Sequence, residues 1–198
     1  PSVSVTPAFI GRYPSIEDMF NQLEEDQEQV EEYTDEMVSD LDDVQELINY
    51  FKNDATYGGC SVLLGVPRSW RTLNSDAVND TQLHTVIRSA DIVHPWTPGR
   101  YSNISGIDSH KNIIIADKAW CDAEDLLYMP VVFPGFSWAN MKNDMTIFNQ
   151  IPRLKGDFLW RQFYNAISSD AKTIYVAMFD EIDEGTCIFK VDNNPPVG

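Results

Sequence analysis

The chain has 198 residues, of which 43% are hydrophobic and 12% aromatic, with five Trp. That composition supports a globular domain with a substantial core and excludes a disordered chain. A formal net charge of −17 argues against a nucleic-acid binder, which needs a basic stripe, and no apolar run approaches the roughly 20 residues of a membrane span.

In chain order, residues 3–10 form the first apolar stretch, rich enough in Val and Ile to predict a strand. A long helical segment follows over residues 15–51. Ile16, Met19, Phe20 and Leu23 recur with a helical period, and Ser15 with Asp18 stands at capping distance. Fourteen Asp and Glu lie between residues 17 and 46, with no Lys or Arg from 13 to 51. This acidic run predicts the solvated face of a helix; an acidic interaction surface is the alternative. Further strands are predicted at residues 60–66, 91–96, 128–133 and 173–179, and shorter helices at 80–89 and 157–168. Residues 113–115 suggest an extra short strand or a buried piece. Trp160, Arg161 and Gln162 open the last helix, where Arg161 is expected to be a structural ion-pair partner.

Near-continuous apolar strands alternating with helices predict an α/β chain with a parallel sheet. Polar and aromatic residues gather at the strand exits GVPRSW, HPWTPGRY, VVFPGFSW and MFDEIDEGT. That placement suits a (β/α)8 TIM-barrel type, whereas a doubly wound nucleotide fold would carry a glycine-rich loop. Five βα units do not close eight strands. The expectation is therefore a single, incomplete barrel domain over residues 1–198, holding strands four to eight. A small complete open sheet is the alternative.

The three cysteines, Cys60, Cys121 and Cys187, form no CxxC pair, and their odd number allows one disulfide at most. Sequons at Asn79 and Asn103 permit glycosylation in a secretory compartment, and the expected location is secreted or the secretory-pathway lumen.

The last strand exit carries four acids in five positions: Asp180, Glu181, Asp183 and Glu184. Glu181 and Glu184 share a face if this segment makes a turn of helix. Paired carboxylates at a barrel mouth suit glycoside cleavage, one as acid and the other as base or nucleophile, with mutual proximity raising one pKa. A polar helix start and a calcium or magnesium site remain open for the same residues. A sugar site also needs flat aromatics and hydrogen-bonding groups. Trp70 with Arg71, Trp96 with Arg100 and Tyr101, and Phe136 with Trp138 stand at strand exits and fit that need. His94 either bonds a ligand or is a buried neutral histidine. A Ser-His-Asp hydrolase is not supported, since no GxSxG elbow occurs.

The blocks YGGCSVLLGVPRSWRTLNSD, HPWTPGRY, MPVVFPGFSWANM, NQIPRLKGDFLWRQFYNA and IYVAMFDEIDEGTCIFK together resemble the glycoside hydrolase family 71/99-like proteins. The resemblance covers most of the chain beyond residue 57 and, more faintly, VTPAFIGRYPS. It implies a (β/α)8 barrel acting on an oligo- or polysaccharide, with no cofactor. In family 99, whose characterised members are endo-α-mannosidases, the catalytic pair lies in a Glu-Trp-His-Glu-Gly-Thr motif. Here that motif stands as Glu181-Ile182-Asp183-Glu184-Gly185-Thr186. By resemblance, Glu181 is the base that helps the substrate 2-hydroxyl attack the anomeric carbon, and Glu184 is the general acid. Ile182 and Asp183 depart from the pattern, and Asp183 adds a negative charge between the glutamates. Asp180 and Asp183 join the expected substrate-binding residues. The implied activity is a retaining glycoside hydrolase on an α-linked glycan, endo-α-mannosidase-like. Two alternatives are a non-catalytic carbohydrate-binding protein on the same scaffold and an interaction protein working through the acidic helix.

Overall fold

A computed structural model describes residues 41–189. The expected strand at 3–10, Ser15 with the acidic helix as far as residue 40, and the Asn-Asn-Pro-Pro tail lie outside the described residues. The chain divides into two compact units, Pro1–Val93 and His94–Gly198.

In the first unit, α1 (Leu41–Asn53) ends with Lys52 in its last turn, where a cation complements the helix dipole. The Lys52 ammonium donates to the Ser89 carbonyl at 3.0 Å and to Asp91 Oδ1 at 2.9 Å. Asp91 Oδ2 accepts from the Val62 backbone N–H at 2.7 Å. Burial pushes the Asp91 carboxyl up, but the Val62 N–H and Lys52 outweigh it and hold it below the usual range. Those bonds tie α1 to the end of α2 (Gln82–Ser89) and to the start of β1 (Leu63–Pro67). β1 buries Leu64 and Val66 on one face, while α2 buries Leu83, Val86 and Ile87. The Val62 carbonyl then accepts from Asp91 and Ile92, which starts β2 (Ile92–Trp96).

In the second unit, the expected strand at 128–133 is two strands. β3 (Leu127–Tyr128) neighbours β2, whereas β4 (Val131–Val132) pairs in parallel with β5 (Tyr175–Val176) in a different sheet. Pro130 has no N–H to donate, so the ladder stops between the two. Its carbonyl instead accepts from Tyr175. The described residues thus form a mixed α/β arrangement with a parallel pair, and their strands fall in a three-stranded and a two-stranded sheet.

Residues 113–115 do not form a strand, and of the expected buried piece only Ile114 is buried, while Ile115 is exposed. They lie inside α3 (Ile104–Ala123), a 20-residue helix absent from the expected elements. Asn103 caps it, its side chain accepting from the Gly106 N–H at 2.9 Å. Its inward face is Ile107, His110, Ile114, Asp117 and Cys121. Two of those five are polar, so the helical spacing of buried positions leaves no apolar stripe in the sequence. No described helix is long and apolar enough to cross a membrane. All three cysteines are free, and burial, with Asp117 nearby, pushes the Cys121 thiol up to about 12.

A short α4 (Ala139–Lys142) precedes α5 (Asp157–Ser168), which has the expected bounds. Arg161 is an ion-pair partner: its Nε and Nη2 donate to the two oxygens of Asp108 on α3 at 2.6 and 2.8 Å. Both groups are partly exposed, so solvent screening weakens the pair and its main effect is to set the register of α3 against α5. Stability comes from beneath, where Ile107, Val131, Phe133, Phe136, Ile151, Phe158 and Ala177 form the core.

Gln162 is embedded in that core, 3% exposed, with all its capacity used. Its Nε2 donates to the Phe133 and Phe158 carbonyls, and its Oε1 accepts from the Phe133 N–H and the Tyr101 hydroxyl. Replacing it with an apolar residue strands several buried partners. Gln162→Leu is expected to cost about 2–4 kcal/mol in urea unfolding, and Tyr101→Phe about 1 kcal/mol. Equal losses in the two variants would contradict this picture.

Candidate functional site

The acidic segment leaves β5 and folds back on itself. Ile188 donates to the Met178 carbonyl and Phe189 to that of Phe179, which leaves residues 180–187 as the connecting turn. It is not a helical face. Glu181 uses its own carboxylate to close the turn: Oε1 accepts from the backbone N–H groups of Asp183 at 2.7 Å and Glu184 at 3.1 Å. Gly185 sits at φ 64°, the left-handed region, and a Cβ there would come within 3.1 Å of Ser137 Cβ. Glycine is favoured at that bend by conformation, and a side chain there would press on Ser137.

A turn of this kind leaves its carbonyls without partners inside any helix or strand. The Glu181 and Thr186 carbonyls are met locally, by the Cys187 and Met178 N–H groups, while those of Ile182, Asp183 and Glu184 receive donors from the segment that follows β4. Ser137 N–H donates to the Glu184 carbonyl at 2.8 Å and Met141 N–H to that of Asp183 at 3.2 Å. Asn140 Nδ2 donates to the Ile182 carbonyl at 2.8 Å. That segment is itself pinned, because Phe136 and Ile151 exchange both backbone hydrogen bonds at 3.0 Å. Gln150 Oε1 accepts from the Trp138 N–H at 2.9 Å.

The result is an open cleft of about 500 Å³ in the second unit. The β2 exit contributes Trp96, Pro98, Gly99, Arg100 and Ser102; the β4 exit contributes Phe136 and Trp138; the returning loop adds Gln150 and Ile151; and Glu184 comes from the acidic turn. Phe136 and Trp138 meet edge to face at 4.9 Å.

Five of the expected site residues therefore share one cavity: Trp96, Arg100, Phe136, Trp138 and Glu184. The others are placed differently. Tyr101 packs into the core against Phe133 at 5.2 Å and spends its hydroxyl on Gln162. His94 is 6% exposed, with its ring 6.1 Å from Trp96 and 4.6 Å from Tyr175. Burial pushes its pKa down despite a hydrogen bond to the Met129 backbone, so it is the buried neutral histidine of the two alternatives. Asp180 and Asp183 are exposed on the turn and do not line the cleft, and neither does Glu181. Trp70 and Arg71 belong to the first unit. Trp70 is 0% exposed and edge-on to His84 at 6.3 Å, so it cannot offer its face to a sugar. Gln150 and Ile151 were not anticipated. They reach the cleft only through pairing with residues 12 or more positions away, which leaves no local mark.

Glu184 differs from the other acids of the turn. Burial against the cleft wall, then the neighbouring Glu181 charge, pushes its pKa above the ordinary carboxylate value. A carboxyl raised in the folded state binds protons more tightly there than in the unfolded chain. Its ionisation therefore costs stability above the folded pKa, and the cost disappears below the unfolded value of about 4.3. Glu184→Gln is expected to melt at a higher temperature than the parent at pH 7–8, with the gap closing by about pH 4. A gap independent of pH would show that the carboxyl is not perturbed.

No protein-family model and no curated protein matches the chain. Among solved structures, the GH99 endo-alpha-mannosidase from Bacteroides thetaiotaomicron is similar at a TM-score of 0.44 and 19% identity, over 75% of this chain and 52% of that one. A complex described as the same enzyme with bis-tris-propane is similar at a TM-score of 0.44 and 20% identity, over 75% of this chain and 55% of that one. This chain spans about half the length of the mannosidase structures it matches.

Proposed function

We propose that this chain carries the acid side of a retaining glycoside hydrolase that cleaves an α-linked glycan, on part of a (β/α)8 scaffold. The supporting observation is the Glu184 carboxyl, its proton affinity raised, on an open cleft walled by Trp96, Phe136 and Trp138. Flat aromatics suit the C–H faces of sugar rings. An acid whose proton affinity is raised suits a glycosidic leaving oxygen.

In this reading Glu184 delivers its proton to the glycosidic oxygen as the bond to the anomeric carbon breaks. The substrate 2-hydroxyl oxygen bonds to that carbon from the other face and loses its proton to Glu181. Oε1 of Glu181 is committed to the turn, so Oε2 takes the proton. Water then attacks the anomeric carbon and gives a proton to Glu184 as the bond to O2 breaks and Glu181 returns its proton to O2, so both carboxyls are restored and net stereochemistry is retained.

A second reading, a non-catalytic glycan-binding protein, is favoured by one specific observation: Glu184 lines the cleft and Glu181 does not. One experiment separates the two. The full-length protein is screened against α-linked oligosaccharides, with the product anomer followed by NMR, beside Glu184→Gln. The hydrolase reading expects turnover to fall about 10²–10⁴-fold with binding retained. Binding without turnover in either form supports the binder. Absence of binding in both overturns both readings. Trp138→Ala is expected to weaken binding in either case.

A further inference from the structure

The geometry points to Arg153 as the positioning residue for Glu184: its guanidinium clamps the backbone on the C-terminal side of the acidic turn and so seats the carboxyl against the cleft wall. Nη2 of Arg153 donates to the Gly185 carbonyl at 2.8 Å and to the Cys187 carbonyl at 2.7 Å. These two acceptors flank Thr186, which is 2% exposed. The N-terminal side of the turn is held separately, by Glu181 and by Asn140, Met141 and Ser137. The C-terminal side also bonds back within the loop, Met178 N–H to the Thr186 carbonyl at 3.2 Å and Cys187 N–H to the Glu181 carbonyl at 2.8 Å, and Arg153 adds the tie from that side to the cleft-wall segment.

Gly135 gives this contact independent support. A Cβ at residue 135 would lie 2.8 Å from Arg153 Cγ and 2.7 Å from the Ile151 carbonyl oxygen. The bare glycine backbone lets the Arg153 stem lie across it, so the guanidinium is directed to the turn before any ligand arrives. Ile151, two residues earlier, lines the same cleft. One short segment therefore builds a wall of the cleft and holds the acid that faces it.

The role assigned to Arg153 rests on Glu184 being the acid of the cleft. The charged groups on the turn and on the elements packed against it are Asp180, Glu181 and Asp183, Arg100 on the cleft wall, Lys142 above Trp138 at 5.5 Å, and Arg153, and among them Glu181 is the charge that raises the Glu184 pKa. The sign of the response distinguishes positioning from charge. Removing a nearby cation by itself raises a carboxyl pKa. Releasing the turn into water removes burial, which comes first among the causes of the upward shift of Glu184, and so lowers it.

The test is ¹³C NMR titration of the full chain labelled at the Glu side-chain carboxyl. The Glu184 signal is assigned by its absence from Glu184→Gln. In Arg153→Ala the Glu184 midpoint is expected to fall toward the ordinary glutamate range. In Arg153→Lys, whose ammonium keeps the charge but lacks the planar fork, it is expected to lie between the Ala variant and the parent. A midpoint in Arg153→Ala at or above the parent's overturns the proposal, even if the melting temperature drops. If Arg153→Ala does not fold, Arg153→Lys decides by the same criterion. No substrate is needed. A failed glycan screen together with the downward shift removes the hydrolase reading and leaves Arg153 standing. Hydrolysis with an unshifted midpoint removes only Arg153.

Discussion

Backbone carbonyls that belong to no helix or strand must still find donors, and this requirement organises the second unit. The turn at residues 181–187 presents carbonyls of Ile182, Asp183, Glu184, Gly185 and Cys187 to its neighbours. The segment from Phe136 to Arg153 answers them with two backbone N–H groups, one amide and one guanidinium. That same segment carries Phe136, Trp138, Gln150 and Ile151 on the cleft. Turn and wall are thus a single hydrogen-bonded body. Phe136 and Ile151 also belong to the core, beside Phe133 and Phe158. Core packing, wall and acid are consequently coupled over a few residues, and a change in one is transmitted to the others.

The arrangement is locally costly, as functional sites often are. A carboxyl is held where burial opposes its ionisation. A left-handed glycine is packed against Ser137. The exposed turn keeps three further acids, Asp180, Glu181 and Asp183, close in sequence. The buried amide of Gln162 counters this by binding the β4 exit to α5 through two hydrogen bonds with Phe133, with one more to Phe158 of its own helix and one from Tyr101. Rigidity below permits strain above.

The parts that were legible in the sequence share a local cause. α5 emerged with its expected bounds because its apolar face repeats with a helical period and its start is marked by Gly156 and Asp157. β1 and β2 were legible because their apolar runs are short and bounded. α3 was not, since its inward face alternates Ile with His110 and Asp117, and these are accommodated only by tertiary burial. The 128–133 stretch looked continuous because hydropathy ignores which sheet a strand joins. Pro130 marks the break, but only the parallel register of Val131 with Tyr175 shows that the chain changes sheet there.

The site divides in the same way. Residue type and order alone put an acid cluster after the last apolar strand, with aromatics and an arginine after the others, and that much follows from composition near chain turns. Which of them meet was decided by tertiary structure. Burial withdrew Trp70 and His94 from the surface, the bond to Gln162 committed the Tyr101 hydroxyl to the core, and the closing of the turn by Glu181 turned two equivalent-looking glutamates into a capping group and a cleft acid. Gln150, Ile151 and Arg153 entered through contacts far apart in the chain. The physical reason is that a side chain's chemistry is a local property, whereas its solvation and its partners depend on how distant backbone polar groups are satisfied.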